Sequence, residues 1–196
     1  METIVYLMLG MTSVIGLGVV LWRGWMLRWG KVAPPQIAAT VTECHTPEDV
    51  KRLREICGQN PSPLGRLLVF AANHLDWPKT ENVSSLETAA RREVVQLERG
   101  LVVLEIIIGI APLLGLVGTI LGMMSVFNDI GEAGLNNASK LAHGISVILN
   151  ATLIGLLIAI PALVAWGYFS KKVEILAVEM ETLCDEFIRR QYRDKL

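Results

Sequence analysis

Ile106 to Phe127 reads IIIGIAPLLGLVGTILGMMSVF, and this stretch decides the class of the protein. It carries no formal charge and is long enough to cross a bilayer, whose hydrocarbon core takes about 20 helical residues. An ordinary lipid-facing span would be aliphatic throughout. Here Gly109, Pro112, Gly115, Gly118, Thr119 and Gly122 interrupt the run. At about 100° per residue, Pro112, Gly115, Thr119 and Gly122 share one helix face. Gly118 and Gly122 add a small-xxx-small pair. Such a face suits close helix contact, where small residues let backbones approach and a hydroxyl bonds across. It equally suits the wall of a pore, and spacing alone leaves both readings open.

The rest of the chain supports a membrane assignment. Of 196 residues 52% are hydrophobic, the net charge is −1 and the mean hydropathy is +0.46, which fits a membrane protein better than a soluble domain. Ile4 to Leu21 is uncharged, with Trp22 and Trp25 placed for an interface, and Ile145 to Phe169 is uncharged and ends in Trp166 and Tyr168. Both have the length and aromatic edges of spans. Glu2 stands where a signal peptide has a basic region, and no small-x-small cleavage site follows, so the first run reads as a retained anchor. The expected fold is an all-α membrane protein with three transmembrane helices, spans two and three extending into a cytoplasmic helical bundle. The expected segments are a first span over 1–22, a cytoplasmic helical segment over 23–100 and a second span over 101–127. A short periplasmic loop over 128–144, a third span over 145–169 and a cytoplasmic C-terminal helix over 170–196 complete the chain.

Orientation follows from the basic residues. Eleven, from Arg23 to Arg99, lie between spans one and two, and six, from Lys171 to Lys195, follow span three, whereas Lys140 is alone in the short connection. The positive-inside rule places the N-terminus and the connection outside and the middle segment and tail in the cytoplasm. Cys44, Cys57 and Cys184 then fall on the cytoplasmic side, as reduced thiols. Cys44, His45, Cys57 and His74 lack zinc-site spacing, so no metal is assigned.

In the middle segment Ala33-Pro34-Pro35 reads as a break. Thr46-Pro47-Glu48-Asp49 reads as a helix start, with Thr as N-cap, Pro in the first turn and an acid at the third position. That helix is expected to end at Cys57-Gly58, where Gly suits a left-handed cap. Ser62 and Pro63 open another, from Leu64 to about Leu75, and Trp77-Pro78 breaks the chain again. From about Ser84 the sequence reads as uninterrupted helix into span two. Leu86, Ala90, Val94, Leu97, Leu101 and Leu104 form its seam, with Arg91, Arg92, Glu93, Glu98 and Arg99 on other faces. Val173, Leu176, Met180, Leu183 and Phe187 make a second seam in the tail.

No nucleophile with a base, phosphate loop or metal cluster is present, which argues against an enzyme. GLVGTILGM lies within a span and cradles no phosphate there. What remains is polar groups inside hydrocarbon, each needing a partner: Thr119 and Ser125 in span two, Ser146, Asn150 and Thr152 in span three. With the spans centred near Val117 and Leu156, both threonines lie about 3–6 Å to the outer side of the midplane. Thr152, Gly155 and Ala159 share a face as Gly115, Thr119 and Gly122 do. Two small-residue faces with a hydroxyl at matching depth fit a common lumen. A bond from either threonine to its own preceding turn is the plainer alternative.

LERGL at 97–101, APLLGLVGTILGM at 111–123, NATLIGL at 150–156 and AIPAL at 159–163 resemble the MotA/TolQ/ExbB proton-channel family over roughly residues 62 to 185. Length and three spans look like its ExbB and TolQ branch. The resemblance implies a non-enzymatic bacterial inner-membrane homopentamer without cofactor or nucleic acid. The ring surrounds a dimer of single-span ExbD/TolR-like partners bearing the membrane aspartate, with a TonB-like protein as a further partner. In that pattern Thr119 and Thr152 match lumen-facing threonines, and Pro112, Gly115 and Gly155 accompany them. No acid lies at mid-membrane depth in this chain, which fits a carboxylate supplied by a partner.

Two positions depart from the family pattern. Many ExbB-like members carry a glutamate five positions before the third-span threonine, where this chain has Val147. Asn150, with Ser146 and His143, forms a polar stripe that either substitutes for it or hydrogen-bonds between helices. Glu105 replaces a small or apolar residue, fourteen positions before Thr119. It is either a solvated interface acid or part of an acidic ring at the inner mouth. The expected function is proton-driven mechanical work for TonB-dependent transport. The alternatives are a Tol-like envelope or motility role and a non-conducting membrane scaffold.

Overall fold

The computed structural model describes residues 2–44, 46–133 and 138–193, and among these every regular element is a helix. The helices are α1 (Glu2–Met26), α2 (Trp29–Val32), α3 (Pro35–Glu43), α4 (Pro47–Gln59), α5 (Pro63–Asn73), α6 (Lys79–Glu98), α7 (Leu101–Ala133) and α8 (Ala138–Arg193). Three are long and apolar enough to cross a membrane: Thr3–Met26, Leu101–Asn128 and, within Gly144–Arg193, the apolar part of α8. Hydrocarbon offers the backbone no hydrogen-bond partner, so apolar runs of this length are stable only as helices. The expected all-α membrane fold with three spans is what forms.

The chain divides into two compact units, Met1–Arg23 with Gly100–Tyr168, and Gly24–Arg99 with Phe169–Leu196. In the first, α1, α7 and the apolar part of α8 pack together, with Ile107, Ala111, Ala159 and Ala162 as a buried cluster. Pro112 and Pro161 lie inside α7 and α8. Each removes one backbone donor from its helix, a cost membrane helices tolerate when neighbours re-satisfy the freed carbonyl.

In the second unit α3, α4, α5 and α6 follow one another as packed neighbours. Thr46 and Asp49 form the expected capping box. Ser62 caps α5 by accepting from the Gly65 amide at 3.1 Å. The tail seam is buried as a whole: Val173, Leu176, Met180, Leu183 and Phe187. Arg54 donates to the Ala72 carbonyl at 2.6 Å, near the end of α5. At the end of α3, Arg190 donates to Thr42 O and Gln191 to Cys44 O. The Tyr192 hydroxyl donates to Trp77 O at 2.8 Å and accepts from the fully buried Asn82 amide at 3.2 Å.

Several local expectations change. Pro34 and Pro35 start a helix: Pro34 is the N-cap of α3 and Pro35 its first residue, where a missing amide costs nothing. Ile37 and Val41, one turn apart, are buried from it. α4 runs through Gly58 to Gln59 and ends on Asn60 at φ −123°, so no left-handed cap is used. α6 begins at Lys79, right after Pro78, five residues before Ser84. The expected continuous helix into span two is interrupted at Arg99 and Gly100. There the Arg23 side chain, 1% exposed, lies so near that a Cβ on Gly100 would sit 2.5 Å from its Nε. Glu93, expected on an outer face, is buried because Arg66 reaches it from α5. α7 extends to Ala133 and α8 starts at Ala138, so helix enters the expected 128–144 loop from both sides, with 134–137 outside the described residues.

Candidate functional site: the α7–α8 seam

α7 and α8 approach closely because glycines face each other. A Cβ on Gly155 would lie 2.6 Å from Ala111 O and 3.3 Å from the Gly115 Cα. One on Gly115 would lie 2.9 Å from Ala151 O. Further along, Gly118 meets Ala151, and Gly122 meets Ile148. α1 joins from one side, with Val5 against Gly118 and Ile107 against Gly16.

The threonines border this seam. The Thr152 hydroxyl donates across it to Gly115 O at 3.4 Å. The Thr119 hydroxyl donates within its own helix to Leu116 O at 2.6 Å. Thr119 follows Gly118, which meets Ala151 of α8 and Val5 of α1, and so points about 100° away from those contacts. The face read from sequence thus separates into two parts: Gly115, Gly122 and Gly155 fill the seam, while Thr119, Thr152 and the half-buried Pro112 line its edge.

The remaining candidates are not gathered there. Glu105 is exposed, within about 40° of Thr119 around α7 and about 21 Å along it. Ser146 and Asn150 are exposed on α8, Asn150 about 160° around the helix from Thr152. His143 is helical, but its side chain lies outside the described set, as does that of Val147. Among the described residues no three His, Cys, Asp or Glu side chains converge as a metal site. Cys44, Cys57 and Cys184 are free and buried, and burial pushes the Cys57 thiol up to about 11.

Sequence reasoning missed the Arg66–Glu93 pair, Nε to Oε1 at 2.8 Å and Nη2 to Oε2 at 2.5 Å. The carboxylate's hydrogen bonds hold the Arg66 guanidinium above its ordinary pKa. It also missed Arg23, buried beside Gly100. Nothing in the local pattern separates these arginines from the exposed ones.

The MotA/TolQ/ExbB proton channel family model matches residues 63–182, which includes α7 and the apolar part of α8. The biopolymer transport protein ExbB of Helicobacter pylori is 39% identical over 83 residues, 42% of this chain and 57% of that protein. The Tol-Pal system protein TolQ of Pseudomonas aeruginosa is 32% identical over 153 residues, 71% of this chain and 66% of that protein. A putative ExbB-like protein of Synechocystis is 32% identical over 159 residues, 79% of this chain and 62% of that protein. The matches therefore span between about half and two-thirds of these relatives' lengths. With the family's pattern laid over the helices that form the seam, the chain belongs to the MotA/TolQ/ExbB proton channel family.

Proposed function

We propose that this chain is the ring-forming, proton-conducting subunit of an energy-transducing complex in a bacterial inner membrane. The ring, a pentamer, encloses a dimer of single-span ExbD/TolR-like partners, and the edge carrying Thr119, Thr152 and Pro112 lines the lumen. Glu105 stands at its inner mouth. The N-terminus and the α7–α8 connection lie in the periplasm, and the work serves TonB-dependent transport across the outer membrane. The observation that carries the reading is the pair of threonines at the seam edge in spans without an acid. Protons crossing hydrocarbon need a titratable carrier, and a partner's carboxylate passing this edge supplies it. Each threonine oxygen, having donated its proton to a carbonyl, keeps lone pairs for a water or a protonated carboxyl.

A non-conducting scaffold is the second reading. It is favoured by the same two hydrogen bonds, which satisfy both hydroxyls within the chain. Valine keeps threonine's shape and removes the hydroxyl. Under the channel reading, Thr119→Val and Thr152→Val each lower proton flux per assembled complex about two- to thirtyfold, the equivalent of about 0.5–2 kcal/mol. Flux is measured in vesicles containing the partner and normalised to intact complex. Lost assembly with unchanged normalised flux in both variants favours the scaffold.

A further inference from the structure

In the second compact unit, α6 and the C-terminal part of α8 leave a cleft of about 710 Å³ between them. Its floor is apolar: Leu86 and Ile188 are buried, and Ala90, Val94 and Ala177 are half-buried. The two alanines keep the floor low, since a larger side chain at either place would take up part of the space. Glu87, Arg91, Glu181 and Asp185 also line the cleft and are exposed, so it is open along its rims. Val95, 61% exposed, carries the apolar surface out to the α6 rim. An apolar trough rimmed by charge is the form of surface that another protein covers.

Shape and charge choose the occupant. Val83 and Val95, the outermost α6 residues of the lining, lie about 18 Å apart along the helix. An open trough of that length takes about three turns of helix, anchored by apolar side chains three or four residues apart. The rims are unequal. α8 presents only acids to the cleft, Glu181 and Asp185 one turn apart, whereas α6 presents one charge of each sign, Glu87 and Arg91. Asp185 pairs with Arg189 at 2.8 Å, but both side chains are more than half exposed and water screens the pair. Glu87, Arg91 and Glu181 have no ion-pair partner among the described residues. We propose that this cleft docks an amphipathic helix of another protein, apolar on the face it buries and carrying Lys or Arg along the flank turned to α8. The site lies wholly in the second unit and draws on neither the spans nor the proton path.

The test uses the full chain in nanodiscs of zwitterionic lipid, with empty discs as the blank. The probe is a fluorescent, helix-stapled peptide of about 14 residues, leucine on one face and lysine on both flanks. Its mirror in charge has glutamate at every lysine. The lysine peptide is expected to bind at least about tenfold more tightly than the glutamate peptide. Glu181→Lys with Asp185→Lys, both at exposed positions that leave the fold intact, should weaken the lysine peptide about tenfold and strengthen the glutamate peptide. Arg91→Glu should tighten the lysine peptide about two- to threefold. Ala90→Trp, which fills the floor, should abolish binding of both.

The proposal is overturned by a signal no greater than that of empty discs or by equal affinity for the two peptides. Unchanged binding in the double charge variant overturns it as well. Binding to the dissociated chain but not to an intact oligomer assigns the cleft to a second copy, and that too overturns it.

Discussion

At residue 155 a single hydrogen in place of a side chain sets how close two membrane helices come. The Gly155 position faces the Ala111 carbonyl, a backbone group that cannot swing aside, and a Cβ there would lie 2.6 Å from it. Gly109 lies on the same helix as Ala111 with nothing within 4 Å of its Cβ position. Alanine at 155 therefore forces α7 and α8 apart and should cost about 1–3 kcal/mol. Alanine at 109 removes a flexible helix residue at no steric cost and should be neutral or stabilising by up to about 1 kcal/mol. Unfolding of the two variants in detergent, followed by helical signal against denaturant, measures the difference. Equal stability would show that the glycine seam is not tight.

At the scale of elements, the clearest lock is between α5 and α6. Glu93 is 9% exposed, and Arg66 grips both of its carboxylate oxygens. Bidentate arginine–carboxylate geometry is the stronger kind of ion pair, though the half-exposed Arg66 side chain keeps part of the pair screened by water. Glu93→Ala leaves the guanidinium without its partner and should loosen α5 from α6 by about 1–2 kcal/mol. Arg92→Ala, exposed on the same helix, should stay within about 0.5 kcal/mol. Limited proteolysis between Asn73 and Lys79 reads the loosening. Equal cleavage in the two variants would remove the pair from the account.

At the scale of the molecule, charge asymmetry is expected to set orientation. The short connection holds few basic residues, and the long middle segment and tail hold most of them. A cysteine at the exposed Asn128 should react with an impermeant thiol reagent added outside intact cells, and one at the exposed Lys79 only after lysis. The opposite pattern would invert the topology. The partner proposed above is tested at this scale too. Reconstituted alone, the chain should pass few protons, because its spans carry no acid between 106 and 127 or between 145 and 169. Flux equal to that of the complete complex would place the carrier in this chain.

The three spans, the all-α class and the capped starts of α4 and α5 were legible in the sequence because each rests on neighbours a few residues apart. An uncharged run of membrane length has one backbone solution in hydrocarbon, and Thr46 finds Asp49 within a single turn. The family blocks were legible for the same reason, since they are contiguous. The partition of the small-residue face was not. Whether Gly115 meets a lumen or another helix depends on Thr152, 37 residues away. Likewise Glu93 is drawn inside by an arginine 27 residues earlier, and Arg23 is buried beside Gly100. Helical periodicity says which residues share a face; only packing between distant segments decides what that face meets. So the sequence by itself determined that this protein crosses the membrane and by which helices. The tertiary structure decided that glycines form the seam, that threonines edge it, and that Asn150 faces away.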